Sequence, residues 1–173
     1  MLSIRLLGAA ALAIAATAAA ADEPPAPKLQ FAFEEIVSLG KATSVGQTPR
    51  GGRNIVPITG GTFAGPGRDG EGIKGTIVPG GWDWQLIRPD GCIEVHADYM
   101  LTTDDGVTIN VINDGTICRG EGGAMVPVRT QPRFEAPIGK YEWLNKAAFI
   151  GTLDVGKAAD GGPAVKIRMY RAI

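Results

Sequence analysis

The chain has 173 residues, with 17 Lys plus Arg against 18 Asp plus Glu and a formal net charge of −1. That balance favours neither nucleic acid nor an anionic membrane surface, both of which recruit a cationic excess. Glycine is the compositional outlier at 25 residues, and with 12 prolines interspersed it leaves little room for long helices.

Residues 1–21 read as a leader. They carry one cation, Arg5, then an apolar run from Leu6 to Ala16 and a small-residue stretch ending in Ala19, Ala20 and Ala21. This is the layout of a secretory signal, with cleavage expected before Asp22 and a periplasmic or secreted destination. The run is shorter than the about 20 residues that span a bilayer, and Asp22-Glu23-Pro24-Pro25 cannot continue it in lipid. Removing 21 of 173 residues leaves 152, the size of one domain, with 16 basic against 18 acidic side chains. Residues 22–28 are proline-rich and read as a flexible linker, and residues 29–173 as the folded domain.

Short runs with period-two alternation or β-branched enrichment follow, separated by Gly, Pro, Asn and Asp. They predict strands at Leu29–Leu39, Arg53–Thr59, Gly72–Val78, Asp83–Arg88, Cys92–Thr103, Val107–Arg119, Lys140–Leu144, Ala147–Leu153 and Ala164–Arg171. A short helical turn within Glu135–Lys146 is the alternative to the seventh. Nine strands at this spacing indicate an all-β barrel or sandwich.

The best-specified piece is the hairpin from Cys92 to Arg119. Asp104-Asp105-Gly106 suits a three-residue loop, with a type I turn on the aspartates and Gly106 in the left-handed region as a bulge. That loop pairs Thr103 with Val107, and facing residues then sum to 210. Leu101 meets Ile109, Tyr99 meets Val111 and Ile93 meets Ile117 on an apolar face. A two-residue turn would mix the faces and is rejected. The same register sets Cys92 opposite Cys118, within disulfide reach, and an exported protein meets an oxidising compartment. It also sets His96 opposite Asp114 and in phase with Glu94 and Asp98. Those residues are acid–base candidates if their face lines a cavity and ordinary solvated groups if it meets water; the apolar opposite face favours water.

Several chemistries lose support on inspection. Gly65 to Gly70 matches a dinucleotide-loop pattern by letter, but it opens no helix. Cys92 and His96 lie about 13 Å apart along one strand and cannot share a zinc ion. Scattered carboxylates do not specify calcium, and the only serines after the leader, Ser38 and Ser44, sit in no nucleophile elbow. No cofactor or metal is called for. A lipid-facing outer-membrane barrel would need aromatic girdles that 6% aromatics do not provide.

Five motifs in order carry a resemblance: Arg53-Asn-Ile-Val-Pro-Ile-Thr-Gly-Gly-Thr-Phe63, Val78-Pro-Gly-Gly-Trp-Asp-Trp-Gln85, Arg88-Pro-Asp-Gly91, Thr102-Thr-Asp-Asp-Gly106 and Tyr141-Glu-Trp-Leu-Asn145. Over nearly all of Leu29 to Ile173 the chain resembles the domain of unknown function 3237 family, also called uncharacterised protein family 0311. The resemblance implies an antiparallel β-barrel of about eight to ten strands, allene oxide cyclase- or dirigent-like, holding a small apolar ligand. By matching motif it points to Arg53, Asp83, Trp84, Arg88, Glu135, Tyr141 and Trp143 as site candidates. Two departures stand out: His96-Ala97-Asp98-Tyr99 where the family reads Asp-Ala-Arg-Tyr, and Trp82 in place of a small residue.

Each candidate has a plainer reading. Arg53 and Asp83 can form a structural ion pair, Arg88 and Asp90 can simply shape a turn, and the tryptophans are favoured as core. Asp83, if it sits inside the barrel, becomes a base through desolvation. Three functions compete. One is a cofactor-independent lyase or isomerase, with Asp83 or His96 moving a proton on an apolar carbonyl or phenolic compound and Arg53 steadying an oxyanion. Another is a non-catalytic periplasmic carrier or sensor using the same cavity; in either case Trp84, Arg88, Asp98, Glu135, Tyr141 and Trp143 are the binding candidates. The last is a filled barrel that binds a partner. A cavity of roughly 300 Å³ or more holding both Asp83 and Arg53 keeps the first two in play, and a core packed shut leaves the third.

Overall fold

The computed structural model describes residues 24–173, so the leader 1–21 and the start of the linker lie outside the described residues. The strands are β1 (Leu29–Leu39), β2 (Thr43–Thr48), β3 (Gly51–Gly65), β4 (Ile73–Ile77), β5 (Gly81–Ile87), β6 (Ile93–Thr103), β7 (Thr108–Ile117), β8 (Val128–Glu135), β9 (Phe149–Lys157) and β10 (Pro163–Ala172). All pairings are antiparallel, in the order β1-β10-β9-β8-β7-β6-β4-β3, and the β1–β3 pairing closes the sheet. β4 and β5 each pair with both β3 and β6, at different heights, so they fill one stave of an eight-stave barrel end to end. β2 pairs only with β3 and stands outside the closed ring.

Closure depends on close backbone approach between β1 and β3. At Gly61, with φ of 137°, a Cβ would lie 2.0 Å from the Ile36 carbonyl oxygen, so only glycine permits the contact. The β6–β7 hairpin has the expected register from Ile93–Ile117 to Thr102–Thr108. Gly106 takes φ of 83°, and the Thr103 amide donates to the Val107 carbonyl at 2.9 Å.

Two sequence expectations change. The strand at Lys140–Leu144 is instead a 3₁₀ turn over Glu142–Lys146, as its alternative anticipated. β2 and β8 were not foreseen. β8 contains Pro132, which ordinarily argues against a strand. Here β8 pairs with β9 only from Val128 to Thr130, so the proline sits where the β9 side is already vacant.

One end of the barrel is closed. Phe33 packs edge-on against Phe63 and Phe134, and Phe134 against Phe149, with ring centroids 4.9–5.9 Å apart. Trp143 and Leu144 of the 3₁₀ turn are buried over this cluster. Asn145 pins the turn to the end of β8, exchanging hydrogen bonds of 2.8 and 2.7 Å with the backbone of Ala136. The opposite end is the mouth, where the Cys92–Cys118 disulfide joins β6 and β7 with Cα atoms 4.5 Å apart.

Candidate functional site

Alternation decides which side chains enter the barrel. On β1 the inward set is Phe33, Glu35 and Val37, on β6 Val95, Tyr99 and Leu101, and on β7 Ile109, Val111 and Asn113. Between the aromatic plug and the mouth this places a buried polar group among apolar walls. Glu35 is fully enclosed, and the Tyr99 hydroxyl donates to its Oε2 at 2.6 Å. Desolvation pushes the Glu35 carboxyl up to about 7 against the lowering effect of that hydrogen bond. Burial and the neighbouring Glu35 charge push the Tyr99 phenol well above its usual range. Three enclosed polar atoms have no partner among the described residues: Glu35 Oε1, Asn113 Oδ1 and Thr130 Oγ1.

Tyr99, Asn113 and Thr130 line a cavity of about 70 Å³ at the mouth, and Asp83 and Gln85 form another side of it. Asp83 therefore points inward. Burial raises its pKa, while hydrogen bonds from the Gln85 amide at 2.8 Å and the His96 backbone N–H at 3.1 Å oppose the rise. The second bond arises where β5 and β6 lose their ladder between Asp83–Ala97 and Leu86–Glu94. The Asp83 carboxylate thus serves a backbone donor that no strand partner meets. Glu35, joined to the cavity through Tyr99, can hold or move a proton near neutrality, and Asp83 on the cavity wall is shifted in the same direction.

The cavity is smaller than the roughly 300 Å³ set as the mark of an enclosed ligand pocket, and it does not contain Arg53. Its volume suits a few waters or the edge of a larger molecule. Arg53 points to the outer face, where its Nη1 donates to the Trp84 carbonyl at 3.4 Å, and it forms no ion pair with Asp83.

The remaining candidates disperse. His96 lies on the outer face, half exposed and hydrogen-bonded through Nδ1 to Asp114, and Asp98 is on the same face. That face points outward and is open to water; Glu94 and His96 line an outer concavity on it, and Asp98 does not. Trp84 is 43% exposed, against the expectation of a core position, because its alternation opposite Asp83 turns it outward. Trp143 is core as expected. Arg88 pairs with Asp90, whose carboxylate also accepts the Cys92 backbone N–H, so this pair shapes the β5–β6 turn. Glu135 is exposed at the end of β8. Tyr141 is buried at the plugged end, its hydroxyl donating to Asp105 at 2.9 Å. Lys140, Thr103 and Tyr141 hold the Asp105 carboxyl far below its usual range, which fixes the β6–β7 turn against the plug.

Sequence reasoning missed Glu35, Asn113 and Thr130. The signal for Glu35 was present, because it shares alternation parity with Phe33 and Val37. No cluster of three or more metal-ligating side chains occurs among the described residues.

Residues 27–172 match the family described as "Protein of unknown function (DUF3237)". A UPF0311 protein of Rhodopseudomonas palustris is 36% identical over 140 residues, covering 74% of this chain and 88% of its own length. A "beta-barrel like protein" of Acinetobacter baumannii superposes with a TM-score of 0.75 at 28% identity, covering 88% of this chain and all of its own. A Penicillium herquei protein named "Hydroalkoxylation enzyme phnH" is 31% identical over 141 residues, covering 82% of this chain and 84% of its own length. The chain belongs to the DUF3237 family.

Proposed function

We propose, from that membership, that this protein is an exported barrel that takes a small, largely apolar molecule at its mouth and moves a proton on it. The observation that carries the reading is Glu35: a fully enclosed carboxyl with a pKa near 7, bonded to Tyr99, which itself lines a cavity edged by the unpartnered Asn113 Oδ1 and Thr130 Oγ1. An acid with a pKa near neutrality both donates and accepts a proton readily, which suits lyase, isomerase or addition chemistry on an alkene, carbonyl or phenol. The Penicillium relative supports this class, since hydroalkoxylation adds an O–H across a carbon–carbon double bond and requires only proton transfer and C–O bond formation.

In this reading Glu35 delivers the proton to carbon or removes it, and Tyr99 holds the carboxyl in place. Asn113 Oδ1 accepts a hydrogen bond from a substrate hydroxyl, and Asp83 is the second acid–base group at the rim. The limited cavity volume means that the substrate enters by one edge, with its bulk against the apolar mouth formed by Leu39, Ile117, Leu153 and Val165.

The test is deuterium uptake. A panel of alkenyl phenols and enolisable aryl ketones is incubated with protein in D₂O and followed by NMR. Carbon-bound deuterium is expected with the native protein and should fall about a hundredfold or more in Glu35→Gln, the usual scale for a lost general acid. Saturable binding without exchange would mark a carrier. Exchange unaffected by Glu35→Gln would remove Glu35 as the proton donor.

A further inference from the structure

A second concavity lies on the outer surface, about 690 Å³ in volume, separate from the barrel interior. Its floor is two cross-strand rows fixed by register. Arg53 on β3 faces Leu86 on β5, which faces Glu94 on β6, which faces Thr116 on β7; the second row holds His96, Asp114 and Gln131, and Trp84 of β5 lines the groove as well. Arg50 at the β2–β3 turn and Pro127 ahead of β8 also line it, with Arg129 beyond Thr116.

The charge arrangement points to its occupant. Nine arginines fall among the described residues, and five of them have a carboxylate within 4.0 Å. Of the other four, three line this one groove: Arg50, Arg53 and Arg129. The acids in the groove are already matched. Asp114 lies between His96 and Arg133, the latter at 2.8 Å, and Glu94 faces Arg88 at 3.5 Å. Arg53 and Arg129 each spend one N–H on a backbone carbonyl, leaving most of each guanidinium free. In a chain of net charge −1, three guanidinium groups without carboxylate partners around one concavity make a local anion site. Trp84, 43% exposed in the same groove, adds an aromatic face on which a flat ring can lie.

We propose that this outer groove binds a planar aromatic carboxylate. Arg53, beside Trp84, grips the carboxylate through its forked N–H groups, Arg50 and Arg129 add charge at the walls of the groove, and the ring lies on Trp84. The proposal is independent of proton transfer inside the barrel, because the two cavities share only Val95 of their lining residues.

Calorimetric titration with 2-naphthoate, its neutral isostere 2-naphthamide and inorganic phosphate tests it. Naphthoate is expected to bind saturably to the native protein. Binding should weaken about tenfold or more in the Arg53→Gln, Arg129→Gln double variant, with naphthamide weaker by a similar factor, as expected for charge-assisted bonds. Arg53→Lys keeps the charge and lacks the fork, so it should lie between; this variant also serves if the double variant fails to fold. Glu35→Gln should bind naphthoate like the native protein. Equal affinity for naphthamide, unchanged binding in Arg53→Lys and the double variant, displacement by phosphate at equal concentration, or loss of binding in Glu35→Gln would each overturn the proposal.

Discussion

Replacing Glu35 by glutamine should change how stability depends on pH, and the size of the effect follows from burial. The carboxyl moves from an ordinary value of 4.5 when unfolded to about 7 in the fold. At about 1.4 kcal/mol per tenfold change in proton affinity, that difference is about 3 kcal/mol. The sign follows from which state holds the proton. Between pH 4.5 and about 7 the folded state keeps it and the unfolded state releases it, so native stability falls as pH rises through this window and then levels off. The amide that replaces the carboxyl has no proton to lose. Stability of Glu35→Gln relative to the native protein should therefore rise by about 3 kcal/mol from about pH 4 to about pH 8, or roughly 6–12 °C in Tm for a domain this size. Any constant cost of burying the amide cancels in this difference, as do the other titrating groups. Urea denaturation at a series of pH values measures it. Parallel stability curves for the two proteins would refute the desolvated-carboxyl argument.

Cutting the Cys92–Cys118 bond, which closes a loop with a sequence separation of 26, should lower stability by about 3 kcal/mol. Urea midpoints of the Cys92→Ser, Cys118→Ser double variant against the oxidised protein report the change, and an unchanged midpoint would show that the hairpin alone sets the register. Export predicts that protein recovered from outside the cytoplasm begins at Asp22 and is two mass units lighter than its reduced form, which is the mass of the two hydrogens lost in oxidation. Intact-mass measurement before and after reduction checks both, and an N-terminus at Met1 would exclude cleavage.

Much of the fold was legible because the informative interactions are local. Asp104-Asp105-Gly106 permits one loop geometry, that loop sets the pairing of two strands, and the pairing carries Cys92 to Cys118 and His96 to Asp114 with no further information. The outward placement of His96 followed from the same alternation. The site was less legible. Glu34-Glu35 reads as a polar interruption of β1 until its parity with Phe33 and Val37 is followed, and even then alternation assigns a face, not an environment. Trp82 and Trp84 misled in the opposite direction, since bulk and hydrophobicity favour the core while their alternation opposite Asp83 turns both outward.

By itself the sequence determined the β class, the hairpin and its register, the disulfide partners and the family, all properties of neighbouring residues or of ordered motifs. Only tertiary closure decided that β3 would serve β2, β5, β1 and β4 in turn, that β4 and β5 would share a stave, and that Glu35 would meet Tyr99 from 64 residues away. The reason is that desolvation belongs to an enclosure. A carboxyl on one strand is solvated like any other until the remaining staves surround it, and only then does its proton become one that the barrel can give or take near neutral pH.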